Sequence, residues 1–356
     1  MLNENGIPME GTDISHDYGF SRIRSWAEPM DANSGVWEKP YNAIASDFDG
    51  VVTLYGQESK EEAARIRSLL VEKTLMQGAP LAFITGKDEA KVNKNIIEPI
   101  RKLIKEAGLE LPARHFMVYA NNGSVIIDAG LDNQTIERKE FSYEDLDKIS
   151  QLRVVEILMK IYGVIEEIRS KIPEAFKNTY FREERTTAGF TIRPEDLKHP
   201  ALRTLFLELK KLTGKEKDLT RFDIGQIFKQ QLEEAGLSEI QVAVTDGAVD
   251  ITPRGTGKRN ALEHFAKNTR TEVENILRMG DNGDGSDYQL LAPKKNETRG
   301  GYANTPLDLQ KLSVLQSQYA DYGLPHQIKG NDSQFQKVIR LLESTAVVPQ
   351  KEAIHK

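Results

Sequence analysis

The sequence contains no cysteine, which excludes disulfide bonds, thiolate metal sites and cysteine nucleophiles. It also lacks any run of about 18 apolar residues. Its first residues have neither the basic start nor the apolar stretch of a signal peptide. These absences predict a soluble, cytoplasmic protein with no membrane partner.

A block of charge of one sign is missing as well. Acidic and basic residues are mixed along the chain, which has a formal net charge of −6, and no lysine- and arginine-rich arm is present. We therefore expect no nucleic-acid partner. The six histidines are scattered without the spacing of metal ligands, which argues against zinc.

The chain has enough length and apolar character for a sizeable core. With 356 residues, of which 39% are hydrophobic, two domains are expected. The change of pattern along the chain predicts an N-terminal extension (1–40), the first part of a core domain (41–135), an inserted second domain (136–251), the second part of the core (252–345) and a tail (346–356).

Strand and helix patterns alternate in the core. Short apolar segments at 42–46, 80–84 and 116–120 each end in a polar turn, and the first two are followed by helical spacing. A capping box at Ser59 starts the first helix, and Pro99 should kink or split the second. A further strand at 275–279 precedes a short helix around Tyr288–Leu291. This alternation predicts an α/β fold with a parallel sheet covered on both faces.

The inserted segment has another pattern. We predict strands at 178–182, 188–193, 239–244 and 248–251, with Asp246-Gly247 as a hairpin turn, and helices at about 142–168, 200–213 and 223–236. Strands and helices in this order predict an α+β domain with an antiparallel sheet.

Polar residues follow the predicted core strands or begin the next helix. In a parallel α/β sheet, ligands bind at the carboxyl edge of the strands, so these residues should converge. They are Asp47, Asp49, Thr85, Lys258 and Asp281.

These residue types suit the transfer of a phosphoryl group. Two carboxylates two residues apart can divide the work, one attacking and binding metal, the other handling the proton. Lys258 and the donors of Thr85-Gly86 would neutralise the phosphate. Asp47, the Asp49 backbone carbonyl and Asp281 would suit Mg²⁺ as ligands.

The motifs resemble those of the haloacid dehalogenase superfamily of phosphohydrolases. Asp47-Phe-Asp-Gly-Val-Val-Thr53 looks like its first motif, Thr85-Gly86 its second, Lys258 its third, and Gly280-Asp281 with Asp287 its fourth. The order resembles the branch with an α/β cap between the second and third motifs, which includes phosphomannomutases and many sugar-phosphate phosphatases. The Asn122-Gly123 turn is similar to a feature of that branch.

The resemblance implies a Rossmann-like core with an inserted cap and a role for each residue. Asp47 would be the nucleophile that forms an aspartyl-phosphate, Asp49 the acid and base, and Thr85 and Lys258 the phosphate-binding groups. Asp47, Asp49, Asp281 and Asp287 would serve the Mg²⁺ site. Family members commonly place the last acid four residues after the first, where this sequence has Gly285, so Asp287 is the choice and Asp284 stays open.

Substrate contacts are expected from Gly86, Asn122 and three arginines of the inserted domain, although arginines at strand ends are usually surface ion pairs. The arginines are Arg182, Arg185 and Arg193. The expected reaction is hydrolysis of a small phosphomonoester, such as a sugar phosphate. A phosphosugar mutase and a non-catalytic sugar-phosphate-binding protein remain alternatives, and a homodimer is left open.

Overall fold

The computed structural model describes five continuous ranges, together with short stretches and single residues between positions 156 and 207. The ranges are 40–53, 60–130, 134–152, 221–244 and 248–349. Several predictions fall on residues outside this description, namely the extension before residue 40, the Ser59 cap, most of the helix at 200–213, the Asp246-Gly247 turn, and all of the tail after residue 349.

The described residues form twelve strands. In chain order they are β1 (Ala43–Ser46), β2 (Leu81–Ile84), β3 (Phe116–Ala120), β4 (Val125–Asp128), β5 (Gln134–Arg138), β6 (Tyr180–Glu183), β7 (Ala188–Thr191), β8 (Ile240–Val244), β9 (Ala248–Pro253), β10 (Ile276–Gly280), β11 (Tyr302–Ala303) and β12 (His326–Gln327).

Nine α-helices have defined bounds within the described ranges. They are α1 (Lys60–Lys73), α2 (Glu89–Val92), α3 (Glu98–Glu106), α4 (Tyr143–Ser150), α5 (Arg221–Glu234), α6 (Lys258–Thr269), α7 (Tyr288–Leu291), α8 (Leu309–Gln318) and α9 (Gln334–Ser344). A π-helical turn, Asn93–Ile97, joins α2 to α3, and Pro99 lies in the first turn of α3, so the predicted interruption of this helix is confirmed. None of these helices has both the length and the apolar character needed to cross a membrane.

The main sheet has the order β12-β11-β10-β1-β2-β3-β4-β5. Neighbours from β12 to β3 pair in parallel, and β4 and β5 add two antiparallel strands at one edge. The predicted α/β fold with a mostly parallel central sheet is confirmed. The sequence analysis contained no counterpart of β4 and β5, because it treated the Asn122-Gly123 turn as part of the site and not as the start of a hairpin.

Both faces of the central strands are buried, so most of their residues are apolar. One face packs with α1, α3 and α9 into a cluster that includes Ile44, Leu81, Phe83, Ile100 and Leu341. The other face carries small residues, Ala43, Ala45 and Ala82, under Leu262 and Phe265 of α6. Small side chains on this face leave room for α6 to approach the sheet, which places the start of α6 beside the carboxyl ends of β1 and β2.

A second sheet, with the order β6-β7-β9-β8, is antiparallel throughout. In the chain it lies between β5 and β10 of the main sheet, and Phe228 and Leu232 of α5 are buried together with Ile240 at the start of β8. The predicted pairing of β8 with β9 is confirmed. The predicted helix at Ser142 is confirmed at its start, where the Ser142 hydroxyl accepts a hydrogen bond from the Asp145 amide at 3.0 Å.

Candidate active site

The site begins where β1 ends, at Asp47. This residue is 4% exposed, and its backbone N–H still belongs to the sheet, donating to the carbonyl of Met279 on β10 at 2.8 Å. Its Oδ1 accepts the Phe48 amide at 2.8 Å, and its Oδ2 lies 2.9 Å from Nζ of Lys258. Both carboxylate oxygens are therefore oriented by fixed donors.

Gly50 lets the chain turn away from β1 directly under the acidic residues. Its φ is +73°, and a Cβ at this position would stand 2.0 Å from Oδ2 of Asp281. Asn304 donates its side-chain amide to the Gly50 carbonyl at 2.7 Å. The glycine is thus required twice, for its backbone conformation and for the close approach of Asp281.

Asp49, on the same turn, has a separate cationic partner. Its Oδ1 lies 2.8 Å from Nζ of Lys87 and 3.4 Å from the Thr53 hydroxyl. The two carboxylates of the first motif are therefore paired with two different ammonium groups, Asp47 with Lys258 and Asp49 with Lys87. The sequence analysis did not name Lys87, although its position directly after Thr85-Gly86 was a usable signal.

Thr85 and Asn122 join the loops around the site. Thr85 is fully buried, and its hydroxyl accepts the Lys87 amide at 3.2 Å, which leaves its own O–H available as a donor. The Thr85 carbonyl accepts the Asn122 amide at 2.9 Å, and the Asn122 carbonyl accepts the Gly257 amide at 2.6 Å. The side chain of Asn122 also packs beside Gly86, since a Cβ on that glycine would meet Asn122 Oδ1 at 3.5 Å.

Lys258 is the first residue of α6 and is 7% exposed. Its ammonium forms ion pairs with Asp47 and Asp287. Burial alone would lower the pKa of Lys258, but the charges of Asp287 and Asp47 outweigh it and hold that pKa well above its usual range. Lys258 is therefore a permanent cation beside Asp47.

The start of α6 is fastened to the sheet by a buried ion-pair network. Arg259, next to Lys258, pairs with Glu297, and Nη1 of the fully buried Arg278 on β10 lies 3.1 Å from Oε2 of the same glutamate. Because one carboxylate serves two buried guanidinium groups, α6 and β10 are held in register near the site.

The loop after β10 carries Asp284 and Asp287, the two candidates for the last acid of the fourth motif. Asp287 is fully buried, and its Oδ2 accepts the backbone amides of Asp281 and Asn282 at 2.9 and 3.1 Å. Asp284 instead accepts the backbone amide of Asp308 at 2.6 Å, ahead of α8. The structure thus places Asp287, and not Asp284, beside Asp47 and Asp281.

Asp47, Asp281 and Asp287 form a carboxylate cluster, with one oxygen of each within 4.8 Å of the others. Burial, followed by the charge of Asp287, raises the pKa of Asp47 to about 7 and that of Asp281 to about 9. Burial would also raise the pKa of Asp287, but Lys258 outweighs it and lowers that pKa below its usual range. When all three acids are ionised, they carry three negative charges at close range against the single positive charge of Lys258.

This donor set fits a divalent cation that prefers oxygen ligands. Three close carboxylates with unfavourable mutual repulsion are stabilised when a cation shares their charge, and hard oxygen donors suit Mg²⁺. Asp287 accepts from three protein donors, two backbone amides at Oδ2 and Lys258 at Oδ1, whereas each oxygen of Asp47 has one. Asp47 and Asp281 are therefore the carboxylates with more room for direct ligation. Asp49 lies on the same turn as Asp47, two residues further along the chain.

The three arginines predicted to contact substrate are only partly within the described residues. Arg182 lies on β6, in the second sheet, while Arg185 and Arg193 lie outside the described residues. Their roles stay predictions.

A cleft of about 870 Å³ opens beside Lys258, between the second sheet with α5 and the helices α6 to α8. Its volume is that of a small-molecule site. Many of its lining side chains carry amide or phenol groups, including Gln226, Gln241, Asn260, Gln289, Tyr319 and Tyr322.

Residues 44–292 match the family model of haloacid dehalogenase-like hydrolases, which is more than half of the chain. The chain belongs to the haloacid dehalogenase-like hydrolase family. The resemblance seen in the motifs is thereby confirmed, and so is the prediction of an enzyme, as a member of a hydrolase family. No curated protein matches the sequence.

Solved structures of haloacid dehalogenase-like hydrolases and related phosphatases are similar to this chain. The sucrose-phosphatase of Synechocystis sp. PCC6803, in complex with sucrose and phosphate, is 16% identical with a TM-score of 0.44, over 86% of this chain and 98% of that one. A haloacid dehalogenase-like hydrolase from Bacteroides thetaiotaomicron is 15% identical with a TM-score of 0.46, over 85% and 98%. The C-terminal domain of trehalose-6-phosphate phosphatase from C. albicans is 13% identical with a TM-score of 0.43, over 87% and 94%.

Proposed function

We propose that this haloacid dehalogenase-like hydrolase is a Mg²⁺-dependent phosphatase that hydrolyses a small phosphomonoester through an aspartyl-phosphate on Asp47. The observation that carries this proposal is the setting of Asp47. It is a buried carboxylate at a strand end, oriented by the Phe48 amide and by Lys258, with a second carboxylate, Asp49, two residues further along.

In the first half-reaction an oxygen of Asp47 attacks phosphorus as the bond to the leaving oxygen breaks. The electron pair of that bond goes to the leaving oxygen, which takes a proton from Asp49. In the second half-reaction Asp49 takes a proton from water, the water oxygen attacks phosphorus, and the bond between phosphorus and Asp47 breaks. Inorganic phosphate leaves, and both side chains return to their starting states.

Negative charge on the phosphoryl group would be stabilised by donors that the fold holds in place. Lys258 lies 2.9 Å from the attacking carboxylate, and the Thr85 hydroxyl is held by the Lys87 amide with its O–H still to donate. Donors that are already oriented stabilise the transition state without reorganisation. Mg²⁺ held by Asp47, Asp281 and the Asp49 carbonyl, with Asp287 in support, would reduce the repulsion between phosphate and carboxylates.

The cleft beside Lys258 supports a hydroxyl-rich leaving group such as a sugar. Two amides, Gln241 of β8 and Gln289 of α7, line the cleft near Gly257, each 3.9 Å from where a Cβ on that glycine would stand. Amide side chains both donate and accept hydrogen bonds, which suits the hydroxyls of a sugar. We accordingly propose a sugar phosphate as substrate, with the second sheet and α5 acting as a cap over the site.

The test is release of inorganic phosphate from a panel of sugar phosphates, nucleotides and aryl phosphates, in Mg²⁺ and in EDTA. We expect release by the wild type in Mg²⁺ alone, and a loss of at least about 10³-fold in Asp47→Asn. Asp321→Asn is the matched control, because the Asp321 side chain is exposed and, among the residues that the structure describes, forms an ion pair with Lys295 alone, at 3.2 Å. Turnover by Asp47→Asn at the wild-type rate would contradict the mechanism. No release by the wild type would contradict the phosphatase and favour a mutase or a binding protein.

A further inference from the structure

A second lysine faces the first motif, and no step of the proposed reaction uses it. Nζ of Lys87 lies 2.8 Å from Oδ1 of Asp49, with side-chain exposures of 20% and 18%. The pair is therefore largely shielded from water, unlike a surface ion pair. Nζ of Lys87 also stands 5.7 Å from the centre of the Phe48 ring, within the range of a cation–π contact.

The backbone of Lys87 is fixed from two directions. Its amide donates to the Thr85 hydroxyl at 3.2 Å, and its carbonyl accepts the Asn121 amide at 2.8 Å. The lysine thus starts from a backbone held by the loops after β2 and β3. Its side chain extends to the loop after β1, so Lys87 connects three loops of the site.

The side-chain contacts of Asp49 described above all involve one of its two carboxylate oxygens. Lys87 and the Thr53 hydroxyl both engage Oδ1. Within the described part of the chain, no donor engages Oδ2. One oxygen is held by the protein and the other is left to exchange a proton with the leaving group or with water.

We propose that Lys87 is a positioning residue, which holds the carboxylate of Asp49 by Oδ1 so that Oδ2 faces the leaving oxygen. This inference rests on the proposed phosphatase activity and adds a residue to it. Lys87 neither attacks nor transfers a proton. Without it, Asp49 would still be present but would sample other orientations, and misplacement of a reacting group by about 1 Å can cost on the order of 10²-fold in rate.

The test uses two aryl phosphates of similar size whose leaving groups differ in basicity. Phenolate, like tyrosine, is the base of an acid with a pKa of about 10, whereas p-nitrophenolate is a much weaker base that departs without a proton. The value of kcat/KM reports the steps up to the first irreversible bond cleavage, which include proton transfer to the leaving group. Phenyl phosphate is therefore sensitive to the position of Asp49, and p-nitrophenyl phosphate much less so.

For Lys87→Met we expect kcat/KM on phenyl phosphate to fall about 10-fold or more, and on p-nitrophenyl phosphate by less than about 3-fold. Lys87→Arg, which keeps the charge, should recover much of the loss. Lys91→Met is the matched control. Lys91 pairs with Asp88 at 2.5 Å on the surface and has a side-chain exposure of 54%, so its replacement should change neither value by more than about 2-fold.

A double-mutant cycle separates positioning from direct binding of phosphate. In an Asp49→Asn background, Lys87→Met should cause no further loss on phenyl phosphate, because Lys87 acts through Asp49. An equal loss on both substrates, or a full additional loss in the Asp49→Asn background, would overturn the assignment of Lys87 while leaving the phosphatase intact. A wild type inactive on both substrates would instead overturn the proposed function, and this inference with it.

Discussion

At the scale of single residues, the site is defined by how charge is distributed. Asp47 and Asp49 are separated by one residue, yet each pairs with a different lysine. Asp47 pairs with Lys258 of α6, and Asp49 pairs with Lys87 of the loop after β2. In a carboxylate pair without such partners, the two groups would titrate as a coupled pair, and neither pKa could be assigned to one residue. Separate cations give the two acids different surroundings, which is what a nucleophile and a proton-transfer group require.

The first prediction concerns Gly50. Gly50→Ala should reduce turnover by about 100-fold or more, because a Cβ 2.0 Å from Asp281 Oδ2 displaces that carboxylate from the cluster. Steady-state phosphate release in Mg²⁺ measures the effect. It should be accompanied by a loss of about 1 kcal/mol of stability from the positive φ.

Gly78 is the control for the stability cost of a positive φ at an alanine. Its φ of +75° matches the +73° of Gly50, but a Cβ there would meet nothing within 4 Å. Gly78→Ala should cost a similar free energy of unfolding and leave turnover within about 2-fold. Equal turnover in the two variants would contradict the argument from the contact with Asp281.

At the scale of elements, the turn Asn121–Gly123 after β3 organises the site. Asn121 and Asn122 adopt positive φ values of 46° and 55°, and their backbone groups bind the loops that carry Lys87 and Gly257. The side-chain amide of Asn121 also donates to the Thr186 hydroxyl at 2.9 Å, in the segment between β6 and β7. One turn thus links the end of β3 in the main sheet to the segment that joins β6 to β7.

The second prediction follows from that contact. Thr186→Val keeps the shape of the side chain and removes the acceptor, so the free energy of unfolding should fall by about 1 kcal/mol and the KM for the best substrate should rise. Urea unfolding and steady-state kinetics measure these two effects.

The adjacent residue offers a matched control. Thr187 is 1% exposed, and its hydroxyl has no hydrogen-bond partner among the residues that the structure describes. Thr187→Val should leave stability unchanged or slightly raised, since it removes an unsatisfied polar group. A loss in Thr187→Val equal to that in Thr186→Val would show that the bond to Asn121 is not responsible.

At the scale of the whole molecule, the carboxylate cluster lowers the stability of the metal-free fold at high pH. The pKa of Asp47 is raised to about 7 and that of Asp281 to about 9, in each case first by burial, whereas an aspartate in the unfolded chain has a pKa of about 3.9. Between these values the folded state holds protons that the unfolded state has released. Stability must then fall as pH rises.

The third prediction is that, in EDTA, the free energy of unfolding decreases from pH 5 to pH 8, by at most about 1.4 kcal/mol per pH unit for each carboxyl. Urea unfolding at several pH values measures the slope. Mg²⁺ should restore more stability at pH 8 than at pH 5, because the ligands must be deprotonated to bind it.

Asp281→Asn should flatten this pH dependence, since it removes one of the two titrating carboxyls. Asp321→Asn, in which the lost carboxyl is exposed with a side-chain exposure of 81%, should not. An unchanged slope in Asp281→Asn would mean that the cluster does not hold the extra protons.

Much of the architecture was predictable because it is encoded locally. Apolar runs that end in polar turns predicted β1, β2, β3 and β10 to within one or two residues, and the predicted helix start near Ser142 agrees with the start of α4. The two-residue strands β11 and β12 were not predicted, because a segment that short has no periodicity and becomes a strand only by pairing with its neighbours.

The sequence by itself determined the order of the motifs and the placement of Asp47, Asp49, Thr85, Lys258 and Asp281 at strand ends or helix starts, since these depend on residues close together in the chain. Only the tertiary structure decided that Asp287 and not Asp284 completes the carboxylate cluster, and that Lys87 pairs with Asp49. Both outcomes depend on how separate loops pack against one another, and the direction of a side chain on a loop is set by its neighbours in space and not in sequence.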